Sequence, residues 1–293
     1  MKLEEPLWLR RDEVFAARQH AADGLKLEGL WVAGSLAGLE RHTIAVVGTR
    51  APSDGGRRRA HEFGLHFARA GICVISGLAL GIDGAAHAGA LEGGGPTIGI
   101  LGGGHHEFYP KRNRQLAEAM LANGGAVVSP FAPDHPAHPP QFLQRNGIVA
   151  ALAEAVVVIE AAERSGALNT AGWAAARSIP VFALPGDVDR PKAGGCNALI
   201  RDGATLVRNA QDVIADLGFP ANAVQAPGGD ELASRNDPLE AQLLTALAGE
   251  PRDLEALLDL AQAPTGAILA ALMRLEIDGA LERRADGTLA RLR

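Results

Sequence analysis

The chain has little of several things that would each indicate a particular class of protein. Its 293 residues include two cysteines, and aromatic residues make up 4% of them. Cys73 and Cys196 are too few for a disulfide framework or a cysteine-based metal cluster, and they indicate buried, reduced thiols. No apolar stretch is long enough to span a membrane, and the charged N-terminus lacks the apolar region of a signal peptide. We therefore expect a cytoplasmic protein without a membrane segment.

Positive charge is not in excess either. The chain carries 28 Lys and Arg against 34 Asp and Glu, a formal net charge of −6. Proteins that bind nucleic acid over much of their surface are usually basic, so any site for a polyanion must here be a local patch. What is abundant is apolar content (47%) and glycine (36 residues), which favours an α/β protein with tight turns.

Residues 43–50 are the stretch around which the chain is organised. An apolar, β-branched run ends at Gly48 and is followed by Thr49 and Arg50, which predicts a buried strand that ends in a loop. Glycine permits close backbone approach, Thr49 offers a hydroxyl and an amide, and Arg50 offers a planar fork of donors. A helix predicted from about Gly55 adds its positive end. Taken alone, the stretch fits a phosphate site and an ordinary turn equally well.

The same arrangement recurs along the chain and decides between these alternatives. After a helical stretch near residues 10–22 and a possible edge strand at 30–32, strands are predicted at 44–47, 72–76, 97–101, 126–129, 155–160 and 180–184. Helices alternate with them, which predicts an α/β fold: a Rossmann-like, doubly wound, mostly parallel sheet. Glycine, hydroxyl and basic residues at one sheet edge favour phosphate binding. The loops match neither the dinucleotide fingerprint nor a Walker A loop.

The C-terminal residues form a separate predicted domain. We divide the chain into an extension (1–29), a core (30–219), a linker (220–236) and a small winged helix-turn-helix domain (237–293) of three helices and a hairpin. This last domain has ten acidic residues against six arginines, and the presumed recognition helix carries only Arg274. Helices that read duplex DNA normally bring several basic contacts, so we favour a protein-contact or regulatory role. Arginines of the wing leave DNA contact as the weaker alternative.

Seven motifs in order give the chain its family resemblance. They are V-G-T-R at 47–50, S-G-L-A-L-G-I-D at 76–83 with A-H at 86–87, G-G-G at 102–104 with Y-P at 109–110 and Asn113, R-N at 145–146 with I-V-A at 148–150, V-V-I-E at 157–160 with S-G-A at 165–167 and T-A at 170–171, P-G-D at 185–187, and G-C-N-A-L-I at 195–200. Together they resemble the DNA-processing protein A family (DprA, also called Smf). Leu80 and Gly147 stand where the family has arginine, which removes charge near the site.

The resemblance implies a binding protein with no catalytic activity and no cofactor. It implies that the chain binds single-stranded DNA, protects the incoming strand and loads the RecA recombinase onto it in natural transformation and recombination. It also implies a homodimer formed through the Rossmann-like cores. The residues that we assign to single-stranded DNA or phosphate binding are Gly48, Thr49, Arg50, Ser76, Gly77, Gly102, Lys111, Arg112, Asn113, Arg145, Ser165, Gly166 and Asn169.

Several of these residues keep a plainer interpretation beside the functional one. The glycine loops are anion-binding nests or simply tight turns. Arg112, Arg114 and Arg145 are rim contacts or solubilising charges. Residues 57–59, three arginines in a row, fit a solvated helix face, with an extension of the DNA track as the alternative.

Other residues suggest chemistry that we do not favour. Asp83 and His87 could form an acid–base pair, but bracing of the loop by Asp83 and packing of His87 behind it fit better. His105 and His106 lack a third metal ligand, so we predict no metal site. Phe108 or Tyr109 either stacks on a base or lies buried under its loop.

Two other functions compete with DNA binding. A nucleotide phosphoribohydrolase-like enzyme of the lysine-decarboxylase-like fold would need P-G-G-x-G-T-x-x-E, whereas residues 160–171 have Ser-Gly-Ala and no following glutamate. A winged-helix regulator is disfavoured by the acidic tail.

Overall fold

The chain forms two compact units, residues 1–225 and 226–293. The computed structural model describes residues 5–16, 22–219, 238–247, 251–260, 263–277, 280–284 and 288–291. Each unit encloses hydrophobic clusters of its own. The predicted linker lies outside the described residues, so the domain boundaries stay predictions.

The first unit is built on a sheet of nine strands. They are β1 (Leu7–Arg10), β2 (Gly29–Gly34), β3 (Thr43–Val47), β4 (Cys73–Ser76), β5 (Thr97–Ile100), β6 (Ala126–Ser129), β7 (Ala155–Val158), β8 (Val181–Ala183) and β9 (Thr205–Leu206). Across the sheet the order is β1-β2-β6-β5-β4-β3-β7-β8-β9. From β6 to β9 every neighbouring pair is parallel, while β2 and β1 are added antiparallel. The predicted doubly wound, mostly parallel sheet is confirmed.

Helices cover both faces of this sheet. They are α1 (Arg11–Val14), α2 (Asp54–Arg69), α3 (Ile82–Glu92), α4 (Arg114–Ala122), α5 (Pro139–Ala151), α6 (Gly166–Ala175), α7 (Gly194–Arg201) and α8 (Ala210–Asp216). Side chains alternate along each strand, so Ile44 and Val46 of β3 pack with α2 and α3, while Ala45 and Val47 pack with α5 and α6. A strand covered on both faces must be apolar throughout, which is why residues 44–47 read as one continuous apolar run.

The strand order reverses between β3 and β7. From β3 the chain adds β4, β5 and β6 on one side, and then returns to place β7 on the other side of β3. The connections beside these two strands therefore leave in opposite directions, and a crevice opens at their carboxyl ends. In open parallel sheets, ligands bind at such a reversal.

The N-terminal residues differ from the prediction. The edge strand is β1, a strand the sequence analysis did not predict, and residues 30–32 belong to β2 between β1 and β6. Trp8 and Trp31 pack against each other across the β1–β2 pair, with ring centroids 5.4 Å apart and ring planes tilted by 56°. Of the helix predicted at residues 10–22, the described part is the single turn α1. The four-residue β1 is too short for a periodic pattern, and its pairing with β2 overrides local helix propensity. The two-residue strand β9 was missed for the same reason.

The second unit is the predicted winged helix. Its helices are α9 (Pro238–Ala246), α10 (Leu254–Leu260) and α11 (Thr265–Ile277), and its wing pairs β10 (Leu281–Arg283) with β11 (Leu289–Arg291). Leucines from all five elements share one core. The predicted turn at Asp286 and Gly287 lies outside the described residues.

Two expectations from composition can be compared with the structure. Cys73 and Cys196 are both buried and form no disulfide with each other, and burial raises the pKa of the Cys196 thiol to about 11. In the described parts of the chain, no helix has the length and apolar character that crossing a bilayer requires.

The α2–α3 contact is close enough to be tested. A Cβ atom on Gly89 would overlap the carbonyl oxygen of His61, and one on Gly64 would overlap that of Ala86, because the two backbones touch there. We expect Gly89→Ala to lower the free energy of unfolding by about 1–3 kcal/mol, the usual cost of forcing atoms into a packed core. Urea denaturation followed by circular dichroism measures this change.

The matched control for this experiment is Gly172→Ala in α6. Gly172 is exposed and a Cβ there meets no atom within 4 Å, so alanine should stabilise the helix by about 0.5–1 kcal/mol. An equal effect of the two substitutions would contradict the close packing of α2 on α3.

Candidate functional site

A cleft of about 270 Å³ opens at the carboxyl ends of β3 and β7, where the strand order reverses. We call it the central cleft. Its lining combines loop residues after β3, β4 and β7 with residues of α5 and α6. Those that matter here are Gly48, Thr49, Arg50, Gly77, Asp83, Phe142, Arg145, Asn146, Ser165 and Gly166. Seven of the thirteen residues that the sequence assigned to DNA or phosphate binding therefore line one cleft.

The loop after β3 is held by its neighbours on both sides. The amide of Thr49 donates to the carbonyl of Glu160 at 2.7 Å, and the carbonyl of Thr49 accepts from the amide of Ile82 at 3.2 Å. Gly48 is required here, because a Cβ would come within 2.6 Å of Ile82 and 2.9 Å of the Glu160 carbonyl. The expectation that the Thr49 amide is free for a phosphate is thus wrong, since that amide ties β3 to β7.

Asp83 occupies the nest that the sequence offered to a phosphate. Its Oδ2 accepts hydrogen bonds from the amides of Gly77, at 3.0 Å, and Ala79, at 3.4 Å. Burial raises the pKa of Asp83, whereas the positive charge of Arg145 and these two amides act to lower it. The chain thus supplies its own acceptor at Gly77, and the predicted bracing role of Asp83 is confirmed.

Arg145 is a buried residue and not the rim contact that the sequence suggested. Its side chain is 3% exposed, packs against Gly77, and donates from Nη1 to the carbonyl of Ile100 at 2.6 Å. Burial lowers the pKa of Arg145 to about 10, with the Asp83 charge acting to raise it, so the guanidinium stays cationic at neutral pH. It brings positive charge to the base of the central cleft and links the loop after β4 to Ile100, the last residue of β5.

An aromatic pair, the exposed Tyr109 and the half-buried Phe142, lies beside Arg50. The guanidinium carbon of Arg50 is 5.0 Å from the centre of the Phe142 ring, and the ring of Tyr109 is 5.9 Å from that of Phe142. Tyr109 is 54% exposed, whereas Phe108 is buried. Of the two aromatic residues that the sequence offered for stacking on a base, Tyr109 is therefore the accessible one. Phe142 was missed. Its position three residues before Arg145 on one helix was the signal that could have found it.

The start of α6 forms the opposite wall of the cleft. Ser165 caps this helix, its Oγ accepting from the amide of Ala167 at 3.3 Å, and Gly166 is exposed. Asn146 donates from Nδ2 to the carbonyl of Gly166, at 3.2 Å, and to Oδ1 of Asn169, at 3.3 Å. Asn169 therefore holds Asn146 and is not among the residues that line the cleft. The positive end of the α6 dipole faces the same space as Arg50.

Three further predicted contacts serve the structure of the loops. Ser76 is fully buried and donates its hydroxyl to the carbonyl of Val46 at 2.6 Å, so it is not a phosphate donor. Gly102 is buried against the Phe142 ring, where a Cβ would come within 2.6 Å of that ring. Asn113 donates to the carbonyls of Leu78 and Ala79, each at 2.9 Å, and braces the loop after β4.

The basic residues after β5 lie outside the central cleft. Lys111 and Arg112 form an exposed 3-10 turn before α4, and neither is among the lining residues of the central cleft. Arg112 lines a wider neighbouring cleft together with Arg50. The prediction placed these cations at the strand end, although nine residues (102–110) separate them from the strand predicted at 97–101.

The two adjacent histidines serve separate contacts. His105 is buried with Nε2 against the carbonyl of Val127 at 2.9 Å, whereas His106 is exposed and contacts Asp134 and Glu5. Within the described ranges, no cluster of three or more His, Cys, Asp or Glu side chains is arranged to hold a metal ion.

Comparison with known proteins decides the family. The model of the DNA recombination-mediator protein A family matches residues 19–218, and the model of the DprA winged helix domain matches residues 229–287. The chain belongs to the DNA recombination-mediator protein A (DprA) family.

Relatives and solved structures of this family agree. Protein Smf of Escherichia coli is 36% identical over 258 residues, covering 85% of this chain and 68% of that protein. A putative DprA of Mycobacterium tuberculosis is 40% identical over 191 residues, and there the match spans 64% of this chain and about half of the relative, 49%.

Two solved structures share the fold. The X-ray structure of DprA from Streptococcus pneumoniae has a TM-score of 0.66 at 34% identity, covering 73% of this chain and 75% of that one. A DprA from Helicobacter pylori, whose structure concerns its single-stranded DNA binding mode, has a TM-score of 0.63 at 27% identity, covering 74% of this chain and 98% of that one.

The structure places the two departures from the DprA motifs differently. Gly147 is buried, and a Cβ there would come within 2.8 Å of Leu25 and 3.1 Å of the Trp173 ring. This glycine is a packing residue, so the expected loss of charge from the central cleft does not follow from it. Leu80 lines the wider cleft beside Arg50 and Arg112, where an apolar side chain does replace charge.

His87 is a buried structural group, as expected. Its Nδ1 lies 2.7 Å from Oγ1 of Thr97. Because the Thr97 hydroxyl donates its proton to the carbonyl of Val74, it can only accept from His87, so Nδ1 carries the proton and donates. Its buried Nε2 has no partner among the described residues. Burial, with a smaller contribution from the Arg145 charge, lowers the pKa of His87 to about 3.

This histidine should make stability fall in mild acid. The unfolded chain binds a proton at His87 below about pH 6.5 whereas the folded chain does not, so this contribution is complete above pH 6.5 and is lost as the pH falls towards 3. Between pH 7 and pH 5 we expect His87 to account for a loss of about 2 kcal/mol in the free energy of unfolding.

Urea denaturation at both pH values, for wild type and His87→Asn, measures this loss. Asparagine keeps a donor towards Thr97 but does not titrate, so the variant should show the smaller change between the two pH values. Equal changes in both proteins would show that His87 is protonated in the folded state.

Proposed function

We propose that the protein binds single-stranded DNA in the central cleft, without sequence preference and without catalysis. The observation that carries this proposal is the Arg50 guanidinium 5.0 Å above the Phe142 ring, beside the exposed Tyr109. Proteins that bind single strands combine cations for the backbone with aromatic rings on which bases stack. The H. pylori relative, whose structure concerns its single-stranded DNA binding mode, supports the same assignment.

Arg50 and the aromatic pair contact different parts of the strand in this proposal. Arg50 is exposed and offers planar donors that match the geometry of a phosphate. Phe142 and Tyr109 present faces on which any base can stack, which tolerates every sequence. Arg145, whose guanidinium carbon lies 6.0 Å from the centre of the Phe142 ring and whose Nη1 donates to the Ile100 carbonyl, adds a buried positive charge.

The carboxylates near the cleft argue against the enzyme alternative. Glycosidic cleavage needs a carboxylate that is free to act on the substrate. Asp83 is bound by the Gly77 and Ala79 amides, and Glu160 accepts from the amide and hydroxyl of Ser53 at the start of α2. Both carboxylates serve the loops, which supports binding over catalysis.

The wider function that we propose follows the family. The protein protects incoming single strands and loads the RecA recombinase onto them during natural transformation and recombination, as a homodimer joined through its Rossmann-like cores. The family's description as a recombination mediator supports this assignment. Its two buried thiols, which form no disulfide, fit a function in the reducing cytoplasm.

For the winged helix we propose a contact with a partner protein. The first turn and a half of α11 is exposed at Thr265, Gly266, Ala267 and Leu269, none of which is a cation. Leu269 is 40% exposed and Leu260 of α10 is 48% exposed. An apolar, uncharged surface suits a protein partner better than a phosphate backbone.

Arg50→Ala tests the phosphate contact. We expect weaker binding to labelled oligo-dT and a salt dependence, log K against log[salt], that is shallower by about 0.7, the value for one lost contact to a single strand. Fluorescence anisotropy over a salt series measures both. Lys111→Ala removes a cation outside the central cleft and should weaken binding less than Arg50→Ala does. The matched control is Arg41→Ala, since Arg41 lies just before β3, at the end of the strand opposite to the cleft. A control that weakens binding as much as Arg50→Ala would place the DNA elsewhere.

Phe142→Ala tests base stacking in the same assay. Loss of a stacked base should weaken binding about 5- to 150-fold, corresponding to about 1–3 kcal/mol. Because no phosphate contact is removed, the salt slope should stay at the wild-type value. Phe142→Tyr, which keeps the ring, should bind like wild type. A Phe142→Ala variant with wild-type affinity would leave Arg50 without its stacking partner and refute this mode of binding.

Recombinase loading has its own test. With single-stranded DNA covered by a single-strand-binding protein, we expect the wild type to accelerate RecA filament formation and Arg50→Ala to lose most of that effect. The rate of ATP hydrolysis by RecA measures how fast the filament forms. Normal DNA binding without any acceleration would contradict the loading role but not the central cleft. Release of free base from nucleoside monophosphates by the protein would instead favour the enzyme.

A further inference from the structure

Two further clefts follow the central cleft in series, and each shares a lining arginine with the one before it. A wide cleft of about 730 Å³, the outer cleft, lies between α2, α3 and α4, and Arg50 lines both it and the central cleft. A third cleft of about 260 Å³, the lateral cleft, lies at the carboxyl ends of β7 and β8 beside the start of α2. Arg58 lines both the outer and the lateral cleft. Shared arginines therefore link the three clefts in series along the first turns of α2, from the central through the outer to the lateral cleft.

The three arginines in a row on α2 lie along the outer and lateral clefts. Successive residues of a helix are rotated by about 100°, so residues 57–59 fan over about 200° of its circumference. Arg57 lines the outer cleft, Arg59 lines the lateral cleft, and Arg58, between them, lines both. A face that served only to keep the helix soluble would not need to direct these side chains into two adjoining clefts.

The outer and lateral clefts are lined by a net positive charge, whereas the chain as a whole is net negative. Their lining has seven cationic side chains against two carboxylates: Arg50, Arg57, Arg58, Arg59, Arg112, Arg190 and Lys192 against Asp54 and Glu160. The chain as a whole has 28 basic and 34 acidic residues. A local excess of one sign in a concave surface focuses the field there and attracts polyanions.

The acidic neighbours leave these cations available to a ligand. Glu160 is turned to the helix start, where its Oε2 accepts from the Ser53 amide at 2.9 Å, and Gly56 leaves room for that carboxylate. Glu62 lies 3.8 Å from Arg58 and 3.6 Å from Arg59, in ion pairs whose side chains are all more than a third exposed. Exposed pairs of this kind contribute little and exchange easily for a phosphate.

We propose that a single strand leaving the central cleft continues over the start of α2 into the lateral cleft. Its phosphates contact Arg57, Arg58 and Arg59 in turn, and then Arg190 and Lys192 in the loop between β8 and α7. This inference rests on the proposed DNA binding in the central cleft and extends it. Among the described residues that line the two added clefts there is no Phe, Tyr or Trp, so this part of the path holds the backbone and not the bases.

A comparison of short and long strands tests the path. Anisotropy titrations use an oligo-dT of about 6 nucleotides, enough for the central cleft, and one of about 20 nucleotides, enough for all three clefts. The variants are Arg58→Ala/Arg59→Ala and Arg190→Ala/Lys192→Ala. Arg41→Ala/Arg201→Ala is the matched control, because it removes the same charge from exposed positions just before β3 and at the end of α7, away from the three clefts.

We expect each path variant to bind the long strand about tenfold more weakly, with a salt slope shallower by about 1.4 for two lost contacts. Binding of the short strand should stay within about twofold of wild type, and the control should bind both strands like wild type. Thermal unfolding at the wild-type temperature shows that the variants are folded.

Three results would overturn the path. They are wild-type affinity of both variants for the long strand, an equal loss for both strand lengths, and an equal loss in the control. If the wild type binds neither strand at low salt, it is the proposed function itself that fails. If it binds the short strand as tightly as the long one, DNA binding stands and the path alone is refuted.

Discussion

The site depends on one buried arrangement, the Asp83 carboxylate held by two amides in the vicinity of the Arg145 guanidinium. A charge removed from water is costly unless other groups replace its hydration. Asp83 receives hydrogen bonds from Gly77 and Ala79, and Arg145 donates to Ile100. These bonds join the loop after β4 to helix α3, and the end of β5 to helix α5. The base of the central cleft is therefore fixed before any ligand arrives.

This arrangement explains why few groups need to be available for the proposed DNA contacts. Arg50 and Phe142 need not hold the loops in place, because hydrogen bonds within the chain already do so; these are made by Thr49, Asp83, Asn113 and Arg145. A preorganised surface loses little conformational entropy on binding, so more of each contact appears as affinity. The acidic chain as a whole confines attraction for a polyanion to the clefts where cations outnumber carboxylates.

Much of the fold could be predicted from the sequence because its signals are local. The continuous apolar run of β3 and β7 follows from burial on both faces, and the alternation of strands with helices indicates a parallel sheet. The strand β1 was missed because four residues show no period, and only pairing with β2 makes them a strand. The winged helix was predicted because its helices and hairpin each have a local pattern.

For the site, the sequence by itself determined that Gly48, Arg50, Gly77 and Ser165 come to one sheet edge, since parallel strands end on the same side. It could not determine which of these groups face outward. Only the tertiary structure shows that the Ser76 hydroxyl donates to the Val46 carbonyl and that Asp83 accepts from the Gly77 amide. It likewise shows that Arg145 is buried and that Phe142, on a distant helix, packs with Arg50. The physical reason is that most buried polar groups are stable only with a hydrogen-bond partner, and those partners come here from segments far apart in the chain.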